Sequence, residues 1–305
     1  MASTYDISAG AKLNLYLKVC GSMPNGYHML NTLMQEISLC DDISITIDDD
    51  RKHAIETECV NCAPIPNEKN LCYKAAVRFF SALKKKGITR LPFVSIKMKK
   101  SIPSEAGLGG GSSDAAAVIL ALNDHFEEPF SVEELNTIAA NTGADTPFFL
   151  YGGTCFCEGI GEVITPAPSL SEIPLILIKP ASGVSTPRCF AAFDERGVTS
   201  FDPKAYEVLK NEILSGKPVG EIFRSYRDLF TNDLEVFAKE NVSDIELAER
   251  LLDEAGAGFS MMSGSGSCVF GVFDDIEKRD LAYGKILESD IVSSHKMMVY
   301  SCESV

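Results

Sequence analysis

The residues with the plainest chemical capacity lie in one run, residues 101–123, reading SIPSEAGLGGGSSDAAAVILALN. Gly107, Gly109, Gly110 and Gly111 tolerate backbone angles closed to other residues and let a ligand approach the main chain. Ser112 or Ser113 suits a helix N-cap, and Ala115, Ala116 and Ala117 favour the helix that follows. Such a junction leaves first-turn amides unpaired at the positive end of a helix dipole, which is a phosphate site in outline. No Lys-Ser or Lys-Thr follows the glycines, so the run is not a P-loop, and a cation has to come from another segment. The plainer reading of the same residues is a glycine-rich turn into a packed helix.

Other candidates are dispersed. Lys12 and Asn14, two apart in AKLNLYLKV, share one strand face about 7 Å from each other and are able to touch one substrate. An isolated lysine on a strand more often faces water. Asp145 in GADTP precedes Thr146 and Pro147, a sequence that also suits the start of a short helix with proline at its first position, where the carboxylate would be a cap. Tyr27 and His28 follow a turn in NGYHML, and a histidine there reads first as an ordinary surface or core residue. Gly264, Ser265 and Gly266 in MMSGSGSC read locally as a hairpin turn.

Strands and helices must position these groups. AGAKLNLYLKV alternates, with Leu13, Leu15, Leu17 and Val19 on one face and Lys12, Asn14, Tyr16 and Lys18 on the other, predicting a half-buried strand. ISITI, PFVSIKM and LILI read as further strands. NLCYKAAVRFFSALKKKG has helical spacing and stops at Gly87. Ser131 and Glu134 form a capping-box pair for a helix ending near Gly143. GFSMM and CVFGVF are a strand pair joined by SGSGS. Pro166, Pro168, Pro174 and Pro180 crowd a segment with little helical periodicity, which places a domain boundary between 1–165 and 166–305. The alternation lacks the rhythm of an all-parallel sheet, so two mixed layers of helix and strand are expected.

Composition bounds the functions available. With 45% hydrophobic and 23% charged residues in 305, the chain reads as a soluble globular protein. A net charge of -15 opposes attraction to nucleic acid and anionic membranes, so neither is expected as a partner. Small anions remain accessible where a few lysines dominate locally. The longest apolar run, residues 115–122, is too short to cross a bilayer and no signal-peptide core is seen, so a cytoplasmic location is expected. Ten cysteines in a chain without secretory features read as reduced, mostly buried thiols. The pairs Cys59/Cys62 and Cys155/Cys157 lack the second half of a zinc signature.

PSEAGLGGGSSDAA resembles the central phosphate-binding motif of the GHMP kinases. AKLNLYLKV and GFSMMSGSGSCVFGVF resemble that superfamily's flanking motifs in the expected order, and the three span most of the chain. NGYHML, GADTPFFL and TNDLE narrow the resemblance to the branch whose substrate is a cytidine-diphosphate sugar alcohol of the non-mevalonate isoprenoid route. The resemblance implies an α+β, two-domain fold: an ATP-binding amino-terminal domain similar to domain 2 of ribosomal protein S5, and a ferredoxin-like carboxy-terminal domain. It implies phosphoryl transfer from ATP, with Mg2+, to a sugar-alcohol hydroxyl. By the same resemblance Lys12 supports the transferring phosphate or the acceptor oxygen and Asp145 orients or deprotonates the acceptor, while Asn14 fixes the sugar end. Tyr27 and Phe190 are expected to sandwich the cytosine, with His28 on the base edge and Thr186 at the diphosphate.

Pro103, Ser104, Glu105, Ala106, Gly107, Leu108, Gly109, Gly110, Gly111, Ser112 and Ser113 are expected around the ATP phosphates, and Asn70, Leu71 and Lys100 around the adenine. Gly264, Ser265 and Gly266 would bring the third motif near those phosphates. An acidic Glu105 beside a nucleotide is unfavourable unless it turns to solvent or toward magnesium. The rival readings are another small-molecule kinase of the homoserine or mevalonate type, a silent nucleotide-binding regulator, and an RNA-binding module, which the negative charge opposes.

Overall fold

The computed structural model describes residues 2–24, 26–196, 201–217 and 219–305, so Asn25 of NGYHML lies outside the described residues. The chain begins with two long strands, β1 (Ala2–Ser22) and β2 (His28–Asp48), then β3 (Ile55–Cys59), α1 (Leu71–Lys85), β4 (Phe93–Lys99), α2 (Gly110–His125) and α3 (Val132–Thr142). A short 3-10 turn at Phe148–Leu150 leads to β5 (Thr154–Gly159), β6 (Val163–Pro166) and β7 (Pro174–Lys179). Helices α4 (Thr186–Arg196), α5 (Pro203–Leu214), α6 (Val219–Ser225), α7 (Glu235–Asn241) and α8 (Asp244–Glu254) precede the hairpin β8 (Phe259–Met262) and β9 (Val269–Val272). The chain closes with α9 (Ile276–Leu287), α10 (Asp290–Ser294) and β10 (Met298–Glu303).

Two compact units interleave along the sequence. One comprises the amino-terminal stretch through Ala11, Cys40–Ile102 and Gly109–Gly152; the other comprises Lys12–Leu39, Pro103–Leu108 and Gly153–Val305. In the first, the second half of β2 runs antiparallel to β4, with Asp42 opposite Lys99, and β3 lies parallel on the far side of β4. Helix α1 buries Cys72, Ala75, Ala76, Phe79, Phe80 and Leu83, a one-face spacing that seats it in a core with Ile43, Ile45, Ile96 and Leu122. Asn70 caps its start, and Gly87, at φ 86°, takes the left-handed turn expected just past its end. The capping box of Ser131 and Glu134 opens α3, which stops at Gly143.

In the second unit the first half of β2 pairs antiparallel with β5, and β5 with β6. A separate four-stranded sheet has the order β10-β7-β9-β8, antiparallel throughout. Every residue of β7 is buried, as its unbroken apolar run requires of a strand with a neighbour on each edge. Its core gathers Ile176, Ile178, Phe193, Phe237, Ile245, Leu252 and Val269.

Two expectations are corrected. β1 is not half-buried: from Ala9 to Leu17 both faces are covered, because the polar face meets oxygen-bearing partners instead of water. Cys59 and Cys62 are not free thiols but a disulfide with Cα atoms 5.5 Å apart, since the short turn after β3 brings their side chains together; Cys20, Cys40, Cys72, Cys189, Cys268 and Cys302 are free thiols.

Phe79 is fully buried and meets Phe130 edge-on at 5.1 Å between centroids. Phe79→Ala should lower unfolding free energy by about 3–5 kcal/mol in urea titrations, the usual cost of deleting a core aromatic. A loss below about 1 kcal/mol would contradict this account of the core.

Candidate active site

The polar face of β1 is held by loops of its own unit. Lys12 and Asn14 are only 2% and 1% exposed. Lys12 Nζ donates to Asn14 Oδ1 at 2.5 Å and to the Gly107 carbonyl at 2.7 Å, and the Lys12 amide donates to Leu108 O at 2.9 Å. Asn14 Nδ2 donates to Thr32 Oγ1 at 2.8 Å, and that hydroxyl donates to Tyr16 O at 2.6 Å. The Asn14 amide donates to Ser263 Oγ at 3.2 Å, and Ser263 Oγ donates to Gly107 O at 3.0 Å. Gly264 has φ 57°, and a Cβ there would stand 3.1–3.2 Å from Asn14 Oδ1, Gly107 O and Lys12 Nζ. At Gly107, φ 75°, a Cβ would collide with the Ser263 carbonyl. Only residues without a side chain permit this approach. The Gly-Ser loop is therefore a β8–β9 hairpin connection and also a wall of the lysine site.

TNDLE supplies the brace. Asn232 Nδ2 donates to Met262 O and Gly264 O at 2.9 and 2.7 Å, and its Oδ1 accepts from the Leu234 amide. Asp233 pairs with Lys18 at 2.7 Å and accepts the Val19 amide. Thr186 and Ser265, expected at the diphosphate and in the third motif, share a hydroxyl hydrogen bond of 2.6 Å. Glu105 is exposed, at φ 50°, with its side chain packed over Gly183.

The aromatic residues are arranged differently from the expected sandwich. His28, not Tyr27, stacks on Phe190, with centroids 4.6 Å apart and planes 23° from parallel. Its Nε2 pairs with Asp194 Oδ1 at 2.8 Å, while Tyr27 is 55% exposed. The imidazole thus covers a ring face on which a base was expected, because Asp194, one helical turn beyond Phe190 on α4, draws it there.

In the first unit the start of α2 differs in detail. Neither Ser112 nor Ser113 is the N-cap: Gly109 is, at φ 71°, and its carbonyl already accepts both serine amides at 2.9 and 3.0 Å. The amides of Gly110 and Gly111 precede that first bond and are not consumed by the helix. Against this turn lie Leu71, 3.5 Å from where a Gly111 Cβ would be, and the Gly143 turn, where a Cβ would meet Thr146 Oγ1 and Ser112 Oγ at 2.9 and 3.1 Å. GADTP thus reaches the glycine loop's helix. Asp145 is half-buried there, and Pro147, at φ -56°, stands just ahead of the 3-10 turn instead of inside it. Asn70 Oδ1 caps α1 through the Cys72 and Tyr73 amides. Asn70 Nδ2, Thr146 Oγ1 and Asp114 Oδ1 are buried with no hydrogen-bond partner among the described residues.

Lys100, just past the end of β4, is only partly exposed. Its ammonium bridges Asp41 and Asp114, both buried, while Asp41 Oδ1 also accepts the Ser101 and Ile102 amides at 2.5 and 2.9 Å. Burial pushes the Asp114 carboxyl up to about 7, with Lys100 pulling it down and Asp41 pushing it further up.

Sequence reasoning missed Thr32, Asp41, Asp114, Ser263 and Asn232 as parts of this machinery. Ser263 and Asn232 sit within quoted motifs, so their place in GFSMMSGSGSC and TNDLE was the available signal; Thr32 and Asp41 carry none, because a lone polar residue in a strand has no distinguishing spacing. Among the described residues no three His, Cys, Asp or Glu form a metal-binding group, and no helix is long and apolar enough to cross a membrane.

Comparison with known proteins bears on family and fold. Residues 70–153 match the GHMP kinases N terminal domain and residues 216–289 the GHMP kinases C terminal domain. A 4-diphosphocytidyl-2-C-methyl-D-erythritol kinase of Desulfitobacterium hafniense (strain Y51) is 38% identical, the match covering 90% of this chain and 89% of that protein. One of Clostridium beijerinckii is 36% identical, covering 92% and 95%. A crystal structure of 4-(cytidine 5'-diphospho)-2C-methyl-D-erythritol kinase superposes with a TM-score of 0.74 at 28% identity, covering 98% of this chain and 99% of that one. A homoserine kinase from Cytophaga hutchinsonii shares the fold, with a TM-score of 0.70 at 17% identity over 99% of this chain and 94% of that one. The chain belongs to the GHMP kinase family and groups within it among the 4-diphosphocytidyl-2-C-methyl-D-erythritol kinases.

Proposed function

We propose that the chain transfers the γ-phosphoryl group of ATP to the 2-hydroxyl of 4-diphosphocytidyl-2-C-methyl-D-erythritol, a step of the non-mevalonate route to isoprenoid precursors. The observation that carries the reading is the buried Lys12 ammonium, held by Asn14 Oδ1 and the Gly107 carbonyl at a place where a Cβ on Gly264 would crowd it. Relatives at 36–38% identity that bear this enzyme's name give it a substrate.

The reaction asks the protein for position and charge more than for covalent chemistry. The Gly110 and Gly111 amides, at the positive end of α2, suit the ATP phosphates, and Pro103–Leu108 supplies the rest of the cradle. Lys12 stabilises the charge that spreads over the equatorial oxygens of the transferring group, and Asn14 holds the erythritol end. Asp145 orients the acceptor hydroxyl and takes its proton as the new P–O bond forms and the bond to ADP breaks. Asn70, Leu71 and Lys100 are assigned to the adenine side, where Lys100 contributes its backbone because its ammonium is already engaged.

Magnesium fits as a passenger on ATP: without an acidic cluster to cage it among the described residues, it needs only one or two protein oxygens, and Ser112 Oγ and Asp145 stand in the segments that meet at Gly143. When bound it would supply positive charge that offsets the negative charge of the phosphates. Thr186 and Ser265 offer hydroxyls to the diphosphate. Phe190, His28 and Tyr27 form the cytosine site; the ring pair favours a base-bearing substrate over homoserine or mevalonate. The boundary near residue 165 separates the two matched family segments, 70–153 and 216–289, and stays our division of the chain. A cytoplasmic enzyme without nucleic-acid or membrane partners accords with the net charge of -15.

Lys12→Met and Asp145→Asn should each lower kcat about 10²–10³-fold while ATP affinity, read by calorimetry, changes less than about threefold. Near-normal turnover in either variant contradicts the assigned role. Phe190→Ala and Tyr27→Ala should raise the KM for the cytidine substrate about 5- to 150-fold, the equivalent of one lost base stack, and leave the KM for ATP within about twofold. Equal rises in both constants would remove these rings from the cytosine site.

A further inference from the structure

We propose that Cys59 and Cys62 form a thiol–disulfide exchange site, and that its redox state sets the affinity for ATP by holding or releasing the backbone at Lys100. The coupling rests on the reading of the following loop as the ATP-phosphate site.

The two cysteines bracket a turn that grips the end of β4. Cys59 closes β3, and the next amide, Val60 N–H, donates to Met98 O at 2.8 Å. Asn61, between the sulfurs, makes a two-point clamp: its Nδ2 donates to Lys100 O and its Oδ1 accepts the Lys100 amide, both at 2.8 Å. Lys100 is the last residue before Ser101 and Ile102, whose amides are fixed on Asp41. Its ammonium reaches Asp114 on α2, and Ile102 packs so closely on the first residue of that helix that a Cβ on Gly110 would stand 2.9 Å from it. The clamp is therefore two residues from a side chain that touches the helix start. The disulfide joins the residues on either side of Asn61 and restricts the conformations from which it could leave Lys100.

The pair is also reachable. Cys62 is exposed, Cys59 is half-buried and Val60 between them is 60% exposed. The chemistry needs an external disulfide R–S–S–R. The Cys62 thiolate attacks one of its sulfurs and expels RS⁻, giving a mixed disulfide. The Cys59 thiolate then displaces the second RS⁻ from Cys62. Two electrons pass from the cysteines to the reagent, whose two thiolates carry away the protons as R–SH. A dithiol reverses the sequence.

The full chain would be equilibrated with oxidised or reduced dithiothreitol, trapped with N-ethylmaleimide, and scored by peptide mass at residues 59–62. The coupled ADP assay on the same samples gives KM for ATP and for the cytidine substrate. The expected result is a disulfide in the first sample and two adducts in the second. The reduced form should show an ATP KM about 3- to 10-fold higher, with kcat and the second KM within about twofold. C59S/C62S should stay at the reduced value in both buffers, and Asn61→Ala should bring the oxidised protein to that value. Full alkylation in the oxidising buffer overturns the exchange site. A redox response that survives in C59S/C62S assigns the effect to another cysteine, and one that survives in Asn61→Ala removes the clamp; either overturns the proposal. ATP-dependent turnover with a redox-independent KM overturns the coupling alone, whereas no ATP-dependent turnover in either state overturns the phosphate-site reading and the coupling with it.

Discussion

A lysine ammonium that is almost wholly removed from water must be met by oxygen atoms, and much of the second unit's local structure follows from meeting that demand at Lys12. The strand supplies one acceptor, Asn14 Oδ1; the second is a main-chain carbonyl, Gly107 O, which reaches the ammonium because its loop has no side chain to hold it off. The same carbonyl accepts from Ser263, so the hairpin connection is drawn in as well, and Gly264 is glycine because three polar atoms crowd its missing Cβ. Asn232 then fixes the hairpin's carbonyls from behind. The glycines of two separate motifs thus answer one steric requirement. In the reaction proposed above, a transferring phosphate would meet a cation already oriented, which would spare reorganisation when charge develops.

The parts of this arrangement that were readable in the sequence are those with a local cause. Gly87 ends α1 and Ser131 opens α3 because a left-handed turn and a capping box are decided by neighbouring residues. The order of the three motifs, and the chemistry of a glycine loop running into an alanine helix, were equally visible. What failed had a non-local cause. Alternation in β1 reports side-chain polarity, not surroundings, so Lys12, Asn14 and Tyr16 read as a wet face although they are covered. The N-cap went to Gly109 over either serine because a left-handed residue with a free carbonyl starts the helix earlier than hydroxyl preference would. The stacking of His28 on Phe190 was not legible because Asp194, which pairs with the imidazole, arrives from a helix more than 160 residues later, a pairing no window of sequence contains. The Cys59–Cys62 bond has a local cause that the absence of secretory features masks: a separation of three residues places both sulfurs in one turn.

The group beneath α2 poses a problem of charge that the sequence did not raise. Two buried carboxylates beside a proposed phosphate site should repel the nucleotide, yet Asp41 and Asp114 share one ammonium, and their placement limits the damage. Asp41 spends one oxygen on two backbone amides, so its charge is spread into the strand end that carries the loop. Asp114 has an oxygen buried without a hydrogen-bond partner among the described residues, and burial pushes its carboxyl up to about 7, toward the neutral form. If the Gly110 and Gly111 amides hold a phosphate, as proposed above, its negative charge would favour the neutral acid further. Because burial already disfavours the Asp114 anion, the cluster is a weaker source of negative charge than two fixed carboxylates, and the cost of removing a fully charged pair from water is lessened with it.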